Sequence, residues 1–259
     1  MATNPTYMLL AMVMARYDFN APRLFVEADL AAGAEVALSR EQANYLRNVL
    51  RLGPGDAILI FNGRDGEWRA EVAGAGKRAT MLGVREQVRA QEGGPDIDYL
   101  FAPLKRTRLD YMVQKAVEMG VARLRPVITR RTVAERVNID RMRANAIEAA
   151  EQCGILRIPQ VREPEKLERT LAGWDESRPL VFCDEGSDGG DPLRALGRLS
   201  PGPLALLVGP EGGFDDAERE LLSCKAFVTR ISLGPRILRA DTAAIAALAL
   251  VNAMLGDWR

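Results

Sequence analysis

Two short apolar runs, each stopped by glycine and proline, constrain this chain most: residues 204–214 (LALLVGPEGGF) and 232–244 (SLGPRILRADTAA). Each run has the length of one buried strand, and each opens into a helical pattern. A strand that breaks at a glycine turn and feeds a helix is a building unit of a parallel sheet. Two such turns close together in sequence put two loops at the carboxyl ends of neighbouring strands. That is where open α/β sheets bind small ligands. Glycine there lets the backbone approach a ligand closely.

The surrounding pattern agrees. Residues 97–104, 124–129, 180–183, 204–208 and 228–233 read as strands. Residues 108–119 read as a helix stopped by Gly120, and 140–153 as a helix stopped by Gly154. Asp215 with Glu218 has the spacing of a capping box for a helix through Cys224. Strand and helix in alternation predict an α/β fold with a parallel sheet. The final helix, 242–255, is apolar nearly all round. It must be buried in its own domain or against a second subunit.

The amino-terminal third reads differently. Short strands at 23–26, 57–61 and 67–72, with Asn62-Gly63 as a turn signal, suggest a small β-barrel interrupted by one helix at 40–49. Gln91 to Pro95 (QEGGP) is the linker. The expected organisation is an extension over 1–21, disordered at its start, a barrel over 22–92, and the α/β domain over 96–259.

Composition removes whole classes of chemistry. The chain has no histidine, which excludes a Ser-His-Asp triad, histidine-ligated zinc and an imidazole base. Its three cysteines are far apart, without a CxxC pair. A reducing cytoplasm fits that usage better than a disulfide framework. No apolar run approaches the ~20 residues that span a bilayer, and no metal-ligand cluster stands out. Neither GxGxxG nor GxxxxGK[ST] occurs. Net charge is zero but uneven: residues 95–145 hold eleven basic against six acidic side chains. That excess is either a solvated helix face or a phosphate-binding patch.

In the first motif, Glu211 stands between Gly-Pro and Gly-Gly, just before a helix start where negative charge is favoured. It is placed to bond a ribose, receive an amino group or hold an arginine. In the second, Arg236 and Arg239 flank Ile237 and Leu238. The aliphatic pair suits the wall of an adenine site, and the arginines suit phosphate or a developing anion. Asp241 and Thr242 open the last helix.

GPEGGF followed by LGPRILRADTAA closely resembles the rRNA uridine-N3 methyltransferases of the RsmE type, in the SPOUT (trefoil-knot) superfamily. Residues 48–52 with Gly55 and Asp56, residues 110–121 with Lys115, Glu118 and Gly120, and residues 151–154 followed by Pro159 extend the resemblance over about 22–256. Departures exist: Cys153 where the family usually has serine, Ile155 near an expected arginine, and Asp241 in place of glutamate.

The resemblance implies a PUA-like RNA-binding barrel and a knotted methyltransferase domain that binds S-adenosylmethionine. It further implies a homodimer, with a uridine of 16S rRNA in the small ribosomal subunit as target. No membrane and no metal enter this expectation. Expected cofactor contacts are Leu207, Val208, Gly209, Glu211, Gly212, Leu233, Gly234, Ile237, Leu238 and Thr242. Expected catalytic residues are Arg236, Arg239, Glu211 and Asp241. Expected RNA contacts are Arg23, Arg47, Arg51, Lys105 and Arg108. A related transferase acting on another base or a ribose 2′-hydroxyl, and a non-catalytic RNA binder, are the rival readings. Gly209→Val is expected to abolish cofactor binding and leave the fold intact.

Overall fold

A computed structural model describes residues 21–75, 80–134, 136–186 and 191–258. The expected amino-terminal extension lies outside them, apart from Ala21. The chain divides into two compact units, one ending at Glu92 and the other starting at Gly93.

In the first unit the strands β1 (Arg23–Phe25), β2 (Glu35–Ala37), β3 (Ala57–Phe61), β4 (Glu67–Ala75) and β5 (Thr80–Arg89) form one sheet in the order β1-β3-β4-β5-β2. β3, β4 and β5 run antiparallel, whereas β1 lies parallel to β3. Alternate residues point inward: Ile58 and Ile60, Ala70 and Val72, Leu82 and Val84 share one core with Leu24, Val36 and Leu46. Leu46 comes from a helix that starts as α1 (Arg40–Asn44) and continues as a π-turn over Tyr45–Val49. Ser39 and Gln42 form its capping box. The expected 40–49 helix is present, with its second half widened.

β3 is buried on both faces from Ile58 to Phe61, and a buried ion-pair cluster from neighbouring strands lies beside the face that carries Phe61. Glu67 is fully buried and accepts from Arg23 Nε at 2.6 Å and Arg89 Nε at 2.8 Å. The Arg23 guanidinium also lies over the Phe61 ring at 4.4 Å.

The second unit is a parallel sheet in the order β12-β10-β11-β6-β7-β8, with β9 pairing further along β7. Its strands are β6 (Ile97–Phe101), β7 (Arg123–Ile128), β8 (Gln160–Val161), β9 (Glu165–Lys166), β10 (Leu180–Cys183), β11 (Leu204–Val208) and β12 (Val228–Ile231). Helices α2 (Arg106–Glu118), α3 (Ile139–Cys153), α4 (Leu167–Ala172), α5 (Pro192–Leu196), α6 (Asp216–Ser223) and α7 (Ala240–Leu255) connect or flank them. β6 and β11 are buried throughout, as a central parallel strand must be. Gly154 closes α3 at φ 69°, and the Asp215–Glu218 capping box starts α6.

β8, β9, α4 and α5 were not among the expected elements. They have two to six residues each, too few for a period to show. On α7, Ala240, Ala244, Ala247, Leu248, Val251 and Leu255 are buried inside the unit. Asn252 is buried too, and its Nδ2 donates to the Met119 carbonyl at the end of α2 at 2.9 Å.

Candidate active site

The ends of β10, β11 and β12 share one cavity of about 430 Å³. Three loops form it: residues 183–185 after β10, the GPEGGF turn after β11, and residues 232–238 after β12. Parallel register explains the meeting, because β10 pairs with both β11 and β12 and all three end at one level. Val208, Gly209 and Glu211 from the first motif face Leu233, Gly234, Arg236, Ile237 and Leu238 from the second.

Phe214 anchors the first loop. Its ring packs edge-on against Phe182 at 4.9 Å, inside the core. That ring also explains Gly209, where a Cβ would run into Phe214. The glycine is therefore required by packing within the turn, and Gly209→Val must disturb the fold as well as the cavity. The expectation of an intact fold is corrected on this point. Gly234 is different: its φ of 100° favours glycine, and a Cβ there would meet nothing within 4 Å.

A neighbouring loop braces the turn. Arg131 Nη1 donates to the Gly212 carbonyl at 2.8 Å, and the Arg130 amide donates to Glu218 at 2.8 Å. Arg130 also pairs with Asp215 at 2.9 Å. The Glu218 backbone amide, then the Arg130 guanidinium, hold the Asp215 carboxyl below the usual carboxylate range.

A second, shallower hollow adjoins the start of α7. Thr107, Arg108 and Tyr111 of α2 line it with Arg239, Asp241, Thr242 and Ile245. Ala240, between Arg239 and Asp241, belongs to the first cavity. An ion pair links the two hollows, because Arg108 on the second binds Glu211 on the first. Of the three roles open to Glu211, the fold displays the holding of an arginine. Asp241 Oδ1 accepts from the Thr242 amide at 2.9 Å. Arg236 and Arg239 are exposed, and among the described residues neither side chain has a hydrogen-bond or ion-pair partner.

The remaining expected site residues fall elsewhere. Leu207 is in the core, Gly212 is engaged by Arg131, and Thr242 lines the second hollow only. Arg23 is 9% exposed and turned inward to Glu67. Burial leaves it no surface for RNA. Arg47 is exposed and bonds Thr80 Oγ1 at 2.5 Å. Arg51 is exposed at φ 58°, a left-handed conformation unusual for a side chain of its size. Lys105 is exposed at the N-cap of α2.

The motif reading missed Cys183, Asp184 and Glu185. Asp184 accepts from Arg230 Nη2 at 2.6 Å and from the Gly186 amide at 3.0 Å, and Glu185 pairs with Arg219 at 3.2 Å. The available signal was two carboxylates directly after a predicted strand. Burial pushes the Cys183 thiol up to about 12.

Comparison with known proteins fits this geometry. Residues 92–252 match the RNA methyltransferase domain family, and residues 38–79 match the RNA methyltransferase PUA domain. The chain belongs to the RNA methyltransferase family, with a PUA-like unit at its amino-terminal side. It is 32% identical to the ribosomal RNA small subunit methyltransferase E of Rickettsia conorii, over 91% of this chain and 96% of that protein. A methyltransferase of Legionella pneumophila, solved with bound cofactor SAM, is 29% identical with a TM-score of 0.80, covering 92% of this chain and 99% of that one. The ribosomal RNA small subunit methyltransferase E of Neisseria gonorrhoeae, bound to S-adenosyl methionine, is 26% identical with a TM-score of 0.77, covering 93% and 100%.

The cavity residues fit such a cofactor. Leu233, Ile237 and Leu238 offer apolar surface for a flat heteroaromatic ring. Ile237 is 91% exposed at the cavity rim, so its apolar surface is open to a ligand. Glu185 and Glu211 put carboxylates on the cavity wall, which suits a ligand with cationic groups. The volume lies in the range of small-molecule sites, about 300–1,000 Å³.

Proposed function

We propose that this protein methylates N3 of a uridine in 16S rRNA of the small ribosomal subunit, with S-adenosylmethionine as donor. The carrying observation is the single cavity in which Glu211 and Leu238 meet at the carboxyl ends of β10, β11 and β12. The whole-length similarity to small-subunit rRNA methyltransferases supports the substrate class.

When bound, the cofactor supplies an electrophilic methyl group. Leu233, Ile237, Leu238 and the Val208–Gly209 backbone would hold it, and the Glu185 carboxylate on the same cavity wall would favour its positive charge. Uridine N3 becomes nucleophilic once its proton leaves, and the negative charge then spreads to O2 and O4. Arg239, exposed and uncommitted beside the start of α7, stabilises that anion, with Arg236 at the rim. Asp241, in the same hollow as Arg239, takes the proton directly or through water. Glu211 holds Arg108 and so ties the two hollows together.

RNA outside the target base is gripped by Arg47, Arg51 and Lys105, and the left-handed backbone at Arg51 supports a role for its side chain. A homodimer is part of this reading. Ala243, Ile245, Ala246, Ala249 and Leu250 of α7 stay only half-buried in one chain, an apolar face that a second copy would cover. Ribosomal RNA as substrate places the work in the cytoplasm.

Mass spectrometry of 16S rRNA from cells lacking this gene, with and without complementation, tests the proposal. The expected result is loss and return of one methyluridine. A methyl group mapped to a ribose oxygen would select the rival transferase. Calorimetry with no heat from S-adenosylmethionine would select the non-catalytic binder.

A further inference from the structure

The amino end of the same parallel sheet carries a second site, which the cofactor cavity does not use. Its residues come from the starts of three strands: Asp96 and Asp98 at β6, Arg123 and Arg125 at β7, and Arg178 just before β10. Arg123 bonds both aspartates. Arg125 bonds Asp98 at 3.0 Å, and Arg178 bonds Asp96 at 2.9 Å. Three guanidinium groups, each less than 30% exposed, thus share two carboxylates. Partly buried positive charge in excess of its partners is costly unless an anion completes it.

The outer wall adds more positive charge. β8 and β9 both pair with β7, at Leu124↔Val161 and Val127↔Glu165. One side advances by one residue more than the other, so the edge bulges at residues 163–164 opposite Arg125 and Pro126, while the Arg162 amide still donates to the Leu124 carbonyl at 2.9 Å. Pro126 has no amide hydrogen to recruit another strand there. The gap opens into a broad cavity of about 900 Å³. Arg162, Lys166 and Arg169 line its outer side, with Arg123, Arg125 and Arg178 within and only Asp98, Glu163 and Glu165 as opposing charges. Arg169 pairs with Glu165 at 3.1 Å. Among the described residues neither Arg162 nor Lys166 has an ion-pair partner.

We propose that this cleft binds the phosphodiester backbone of the RNA substrate, at the opposite end of the sheet from the methyl-transfer cavity. Its breadth suits an extended polyanion, and its planar guanidinium groups suit phosphate oxygens. It gives the arginine excess of residues 95–145 a specific use in Arg123 and Arg125. The identity of the anion as RNA rests on the proposed function.

The test uses the full-length double variant Arg162→Glu/Lys166→Glu. Both side chains are exposed, and without an ion-pair partner among the described residues, so folding and cofactor affinity should not change. A control, Arg194→Glu/Arg198→Glu on and after α5, makes the same change in net charge elsewhere on the same unit. Binding of transcribed 16S rRNA is measured against salt concentration, and methyl transfer to the same RNA is measured separately. The cleft variant should bind about tenfold more weakly, with a log–log salt slope shallower by about 1.4, as for two lost contacts to a single strand. The control should change both far less. Equal RNA affinity in the cleft variant and wild type would overturn the proposal, as would equal losses in the cleft and control variants. Saturable binding of inorganic phosphate that the cleft variant loses, with RNA affinity unchanged, would make this a small-anion pocket and also overturn it. Failure of wild type to methylate the RNA would count against the proposed function, while the affinity comparison would still decide the cleft.

Discussion

Two sets of arginines, one in each unit, do opposite work. In the first, Arg23 is buried against the fully buried Glu67 and the Phe61 ring. In the second, Arg236 and Arg239 are exposed beside a cavity, without partners among the described residues. The side chain is the same, but the surroundings decide whether its charge stabilises the fold or waits for a ligand. A guanidinium whose donors are already satisfied has little left to offer a transition state, whereas an unsatisfied one beside a cleft does.

The contrast can be broken most directly at Glu67. Glu67→Gln should cost the first unit about 3–5 kcal/mol, because it removes the carboxylate from a buried ion pair with Arg23. Urea unfolding read by hydrogen exchange of each unit's strand amides should show the loss in β3 and β4 and leave β10 and β11 unchanged. Arg239→Ala should do the reverse. It should leave unfolding and cofactor affinity unchanged and lower kcat about 10²–10³-fold, the scale of one lost oxyanion donor. Normal turnover in that variant would remove Arg239 from the mechanism.

Gly209→Ala joins stability and function in one residue. Overpacking against Phe214 should cost about 1–3 kcal/mol, and calorimetry should show weaker cofactor binding together with the lower melting temperature. A normal melting temperature would show that the turn can absorb the added methyl group.

A smaller effect is expected from acid. A hydrogen bond from Arg141, aided by Asn145, holds the Asp110 carboxyl below its ordinary range. A carboxyl depressed in the folded state stabilises the fold above its unfolded value, about 3.9, and that stability is lost as pH falls through the lower folded value. The melting temperature of Asp110→Asn should therefore fall less steeply than that of wild type as pH drops below about 3.9. The smallest effect concerns Cys183, whose thiol stays neutral because burial raises it to about 12. At mildly alkaline pH a thiol reagent should label the exposed Cys153 and Cys224 first. Cofactor should slow the labelling of Cys183 further, since this residue lines the cavity.

Much of the second unit was legible in the chain. β10 and β11 start and stop where their apolar runs do, and Gly154 and the Asp215–Glu218 pair mark helix ends through backbone chemistry local to each position. The candidate site was legible as two motifs, since each is continuous in sequence. Less visible were the supports from distant segments: Arg108 reaching Glu211, Arg131 reaching the Gly212 carbonyl, and the 183–185 loop. Arg23 shows the same limit from the other side. Read alone it is a surface cation suited to RNA, and only the partner 44 residues away turns it inward.

The sequence by itself determined the strand–turn–helix units, because hydrophobic period, glycine turns and caps act over a few residues. It also determined the absence of imidazole chemistry. Only the tertiary structure decided which charges are spent on the fold and which remain for a ligand. Pairing depends on distance in space, and parallel register brings together side chains that no local pattern relates.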